Sequence, residues 1–115
     1  MKLLAAIERA NSLRPNAIPD DMKAGWITAL DGEIAEMMGL YPQESEFPED
    51  MDLLMPFPHD EIYSLYCMAM IDNAQEETDL YANDLQVANQ AISEARRWWW
   101  RNRRVPKQTP VRIFK

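Results

Sequence analysis

Residues 62–71 (Ile62-Tyr63-Ser64-Leu65-Tyr66-Cys67-Met68-Ala69-Met70-Ile71) contain one polar break, Ser64. A helix that is apolar on every side has to be surrounded. The run is much shorter than the roughly 18 apolar residues that mark a membrane span, and no other stretch of the chain reaches that length. Its cover must therefore be protein, either the other helices of one domain or neighbouring copies. The composition can supply that cover, with 47% of the 115 residues apolar and only three glycines. These values suit one compact domain and argue against an extended, disordered or collagen-like chain.

Three more helices follow from periodicity. Leu3, Ile7, Ala10 and Leu13 step along one face of a helix over 2–13, and Arg14, standing before Pro15, ends it. A second helix is expected over 19–38. Pro19 suits a first helical position, and Asp20 and Asp21 lie beside the positive end of the dipole. Met22, Trp26, Leu30, Ile34 and Met37 make its stripe, widened by Ile27 and Met38, and Gly39 is its stop. Gly32 inside this helix costs about 1 kcal/mol against alanine, which a close helix neighbour would explain. The apolar run opens with the same device, Pro58 followed by His59, Asp60 and Glu61, so the third helix is expected over 58–75. Polar residues over 72–79 predict a break, with Thr78 a candidate N-cap. Tyr81, Leu85, Ala88, Ile92, Ala95 and Trp99 hold heptad spacing along a last helix over 79–103. At 1.5 Å per residue that helix is about 37 Å long, long enough for its end to project.

The expected fold is all-α: a four-helix bundle-like domain over 1–104 with a long C-terminal helix, then an extended basic tail over 105–115. The connection over 40–57 carries three prolines and five acids, which argues against helix. Phe47, Leu53, Leu54 and Phe57 are expected to pin it to the core, and Leu53-Leu54-Met55 could make a short strand. In the tail, Val111, Ile113 and Lys115 alternate with Arg112 and Phe114, a pattern able to add a strand to a partner; a frayed terminus is the alternative.

Charge is divided along the chain. Residues 1–95 hold all 19 acids and four bases, a net of −15, whereas 96–115 hold eight bases and no acid, a net of +8. Such a subunit can attract copies of itself head to tail, or apply its basic end to another acidic protein or to nucleic acid. A solvated helix end that suits the dipole is the plain alternative for Arg96 and Arg97.

Candidate chemistry is thin. With one cysteine and one histidine there is no zinc cluster and no disulfide frame. The glycines are isolated, so there is no phosphate-cradling loop. Glu44, Glu46, Glu49, Asp50 and Asp52 are the densest acids, but they sit on a polar segment with no apolar wall to raise a pKa, and read as a solvated acidic surface. His59 beside Asp60 and Glu61 is weak as a metal site, and Cys67 reads as a core thiol. The first residues reach Glu8 too soon for a secretory leader. No catalytic residue, metal or cofactor is expected.

Trp98-Trp99-Trp100 is the feature left over. Three successive helical residues span about 200°, so they cannot all face one core. The seam places Trp99 inward and leaves Trp98 or Trp100 exposed or against a partner, and tryptophan beside arginine is the composition of interface hot spots. The candidate partner interface is Trp98, Trp100, Arg101, Arg103, Arg104, Lys107, Val111, Arg112, Ile113 and Phe114. Glu44, Glu46, Glu49, Asp50 and Asp52 form the candidate acidic counter-surface.

A set of residues also resembles a known family. These are Trp26-Ile27, Leu30-Asp31-Gly32 with Ile34, Leu54, Pro56, Pro58, Asp60-Glu61-Ile62-Tyr63, Tyr66, Ala69, Ile71-Asp72, Glu76, Tyr81, Asn83-Asp84, Asn89, Ala91 and the aromatic–arginine end from Trp99 to Arg103. Over 1–104 they resemble small proteins encoded among the head and neck genes of tailed bacteriophages and prophages of Gram-positive bacteria, likened to head–tail connector (adaptor) proteins. The triple tryptophan and the tail after Val105 depart from that pattern. The resemblance implies a neck component of the virion, made in the host cytoplasm, and not an enzyme. It would be a ring homo-oligomer between the portal protein and a downstream neck or tail protein, with DNA passing through unbound and no membrane contact. Two other readings stay open: an interaction module that regulates or inhibits a host protein, and a nucleic-acid binder acting through 96–115.

Overall fold

The computed structural model of the chain describes residues 1–42 and 49–102. The fold is all-α, with α1 (Leu3–Leu13), α2 (Asp20–Met38), α3 (Glu61–Ala74) and α4 (Thr78–Asn102) in order. The apolar run lies in α3, which packs against each of the other three helices. Ile62, Tyr63, Cys67, Ala69 and Ile71 are fully enclosed. The domain therefore covers most of the run by itself, leaving Leu65, Tyr66 and Met70 half-buried. Among the described residues α4 packs on α3, and its backbone makes no close approach to α2.

Several helix limits and faces differ from expectation. α3 begins at Glu61 and not at Pro58, because 57–60 form a turn in which the His59 N–H donates to the Pro56 carbonyl at 2.8 Å. The Phe57–Pro58 peptide is cis, and Phe57 is 83% exposed instead of pinning the connection. α4 includes Thr78 as a helical residue, since the chain reverses earlier, at Glu76 with a left-handed φ of 60°. Residues 53–55 form no strand; the pairing nearby is an isolated bridge between Lys2 and Asp52. Leu13 and Met22 are exposed. The α2 stripe is centred on Ile27, Leu30, Ile34 and Met38, with Ala24 and Ala35 beside them. The rotation brings Lys23 and Asp31 onto the buried face, where both find partners.

Those two polar residues organise the core. Asp31 Oδ1 accepts from the Tyr63 hydroxyl at 2.7 Å and from the Leu54 N–H at 2.9 Å. The same hydroxyl accepts from the Met55 N–H at 3.0 Å. One carboxylate and one phenol thus join α2, α3 and the connecting segment, and leave no orphan among these groups. Burial, with the Asp31 charge beside it, pushes the Tyr63 phenol well above its ordinary value and keeps it a neutral donor. At the α1–α2 corner, buried Lys23 donates to Asn11 Oδ1 at 2.7 Å and Asp20 Oδ1 at 3.1 Å. The Lys23 hydrogen bond holds the Asp20 carboxyl below its usual value.

The start of α1 is closed by the connecting segment. Lys2 gives no side-chain cap and the first turn has no acid. Instead the Leu4 N–H donates to Asp50 Oδ1 at 2.9 Å, the Leu3 N–H to the Met51 carbonyl at 2.9 Å, and the Leu53 N–H to the Met1 carbonyl at 3.0 Å. Asp50 thereby does from a distance what an N-cap residue does locally.

At the other end of α2, Gly39 takes the left-handed conformation (φ 79°) of a helix stop, as its position predicted. Gly32 is different: among the described residues no helix crosses it, and a Cβ there would meet Pro42 Cβ at an ordinary 3.6 Å. Gly32→Ala is therefore expected to stabilise the protein by about 0.5–1 kcal/mol through helix propensity. Tyr63→Phe, which strands the buried Met55 N–H and removes a donor from Asp31, is expected to cost about 1–3 kcal/mol. Urea unfolding followed by circular dichroism reads both, with the midpoint moving and the slope unchanged.

Candidate functional site

The C-terminal half of α4 carries the predicted interface. Its seam is buried at Ala88, Ile92, Ala95 and Trp99, so the helix is anchored to within three residues of Asn102 and does not project before it. The three indoles divide as their angular spacing requires. Trp99 is buried and stands edge-on to Trp100, with ring centroids 5.1 Å apart and planes at 83°. Trp98 is half-buried against the imidazole of His59, 5.0 Å between centroids. Trp100 keeps 44% of its surface in solvent, beside exposed Arg101. The Asn102 side chain donates to the Trp98 carbonyl at 2.8 Å and closes the helix end. Arg103, Arg104, Lys107, Val111, Arg112, Ile113 and Phe114 lie outside the described residues, as do Glu44, Glu46 and Phe47.

The acidic counter-surface is partly engaged within the chain. Asp50 caps α1, and Asp52 meets the Lys2 ammonium at 3.4 Å while both remain exposed. Glu49 is exposed. Arg97 donates to Ser93 Oγ at 3.1 Å, a local contact of the kind expected on a solvated helix face.

Because α2 and α4 stand apart on either side of α3, a groove of about 310 Å³ opens between them. Leu30, Ile92 and the Tyr66 ring give it an apolar floor, and Glu33, Asn89, Ser93 and Arg96 stand around it. Glu33 and Arg96 reach across its mouth at 3.8 Å, both well exposed. Burial, and secondarily the Glu33 carboxylate, raise the Tyr66 phenol above its ordinary value.

A second charged cluster joins the C-terminal end of α1 to α3 and α4. Arg14 donates through Nε and Nη2 to Asp84 Oδ2, at 3.1 and 2.9 Å, and through Nη1 to the Leu13 carbonyl at 3.1 Å. Its Nε also lies 3.3 Å from Asp72 Oδ1. Asp72 is 1% exposed, and among the described residues neither of its oxygens accepts a hydrogen bond. Burial first, then neighbouring Asp84, push Asp72 up to about 6 against the opposing pull of Arg14. Neither periodicity nor local spacing marks this cluster. The available signals were that Asp72 closes the apolar run and that Arg14 is one of only four bases in residues 1–95.

Burial drives the Cys67 thiol up to about 12, which removes its nucleophilic form at neutral pH. Among the described residues no group of three or more His, Cys, Asp or Glu could hold a metal ion. No helix among them is long and apolar enough to cross a membrane. Comparison with protein-family models, curated proteins and solved structures matched none of them.

The Asp72 cluster makes stability depend on pH. The folded chain holds the Asp72 proton more tightly than the unfolded chain, at about 6 against 3.8. That contribution is fully present below the unfolded value and is lost as pH rises through about 6. Asp72→Asn, which keeps the shape without the charge, is expected to be more stable than wild type at pH 7.5 by up to roughly 2–3 kcal/mol. The advantage should shrink towards pH 4. Thermal melts of both proteins across that range check it, and a constant difference would rule out Asp72 as the titrating group.

Proposed function

We propose that the chain is a head–tail connector (adaptor) subunit of a tailed bacteriophage or prophage, assembling as a ring between the portal protein and the next neck component. The observation that carries this reading is the separation of charge along one helical subunit. All 19 acids lie in residues 1–95, and eight bases without an acid follow, with an exposed Trp100 where the two regions meet. Opposite signs at two ends let identical subunits join heterologously, the kind of contact that closes into rings. The indole supplies the aromatic anchor such a contact uses. The residues that resemble the connector family support the same reading. An acidic body beside a DNA channel would let the duplex pass without gripping it.

Electron microscopy of the purified protein, alone and mixed with the portal protein of the same genome, tests the proposal. Rings, or a discrete layer on the portal, are expected, and they should weaken as salt screens the charges. Truncation after Arg104 keeps every described residue; it is expected to leave a folded monomer that fails to assemble. Rings formed by that truncated chain would remove the tail from the mechanism. Failure of the full chain to form any ring, by itself or on the portal, would overturn the reading.

A further inference from the structure

The groove between α2 and α4 has the layout of a receptor for an extended peptide. Its floor is apolar at Leu30 and Ile92, and the Asn89 amide and the Ser93 hydroxyl stand beside it, within reach of a guest backbone. On its α2 rim stands Glu33, and Glu36, about a turn further along the same helix, is exposed. Its mouth is spanned by a weak link, the 3.8 Å approach of Arg96 to Glu33 between side chains 45% and 67% exposed. An exposed pair at that distance contributes little and exchanges readily.

The chain itself contains a segment of matching chemistry. Residues 103–115 hold five bases and no acid. In extended form Val111 and Ile113 fall on one side and Arg112 on the other. We propose that Val111-Arg112-Ile113 of a second copy docks in the α2–α4 groove, the two aliphatic side chains on Leu30 and Ile92 and Arg112 on Glu33, displacing Arg96. This rests on the ring reading above, and it specifies where one subunit receives the next. Arg96 is then an internal competitor for Glu33. Removing it strengthens docking, whereas removing Glu33 weakens it. An ion pair that only supported the fold would move both results the same way.

The test uses the full-length chain carrying Ile113→Asp as receptor, so that its own tail does not compete, and a fluorescent peptide of residues 103–115 as probe. Anisotropy at low salt is expected to show saturable binding. Glu33→Ala in the receptor should weaken it about fivefold and Arg96→Ala should strengthen it about threefold, the scale of one partly exposed charge pair. A peptide carrying Ile113→Asp should not bind. Both receptor substitutions are at exposed positions, and unchanged melting temperatures exclude a folding defect. Absent binding, or Glu33→Ala and Arg96→Ala shifting affinity in the same direction, overturns the proposal. So does peptide binding to the Ile113→Asp receptor while the wild-type chain refuses peptide and stays monomeric, because the tail then occupies its own groove. Rings on the portal without peptide binding would sink the groove and leave the connector reading standing. Peptide binding without rings would do the reverse.

Discussion

The hydrogen bond from Tyr63 to Asp31 is the contact on which the rest of the architecture depends. It is short, enclosed and shared, since the same two side chains also satisfy the amides of Leu54 and Met55. A carboxylate in an apolar core is stable only when such partners meet it. Once they do, α2, α3 and the connecting segment have one relative placement. That placement sets α2 on one flank of α3, and α4 packs on α3 without approaching α2. The groove results from this arrangement, because it is the space two flanking helices leave when each packs on a common centre.

Much of the fold was legible in the sequence, for reasons that can be stated residue by residue. The apolar run had to be central, and α3 is. Heptad spacing marked Ala88, Ile92, Ala95 and Trp99 as buried, and angular spacing alone required that the tryptophans divide. What sequence reading missed involves polar residues inside. Lys23 and Asp31 turn α2 away from the stripe through Met22, because hydrophobic periodicity treats a charge as an outward-facing residue. The partners that make those charges tolerable are Asn11 on α1 and Tyr63 on α3, which come from other elements, and Asp20, which lies one turn before Lys23 on α2 itself. The Arg14–Asp84 contact spans 70 positions, and no local pattern encodes it. The start of α3 was misplaced because Pro58 resembles a first helical residue, yet it belongs to the turn before the helix.

The candidate site was legible in outline only. Composition marked Trp98, Trp100 and Arg101 as surface features, and the structure puts Trp100 and Arg101 outward and Trp98 on His59. Charge counting described an acidic body, but did not distinguish acids that support the fold from acids that face solvent. Asp50 caps a helix, Asp31 and Asp72 are internal, and Glu33 is among those left at the surface beside an apolar floor. A pattern of which helices fail to touch has no signature in one dimension, so Glu33 and Arg96 were not singled out as a pair.

The chain's single cysteine lies inside α3, sealed and held as a thiol. Folded copies consequently present no thiol from Cys67 to one another. A disulfide through that residue would first require α3 to open, so oxidation there reports on unfolding and not on contact between folded copies.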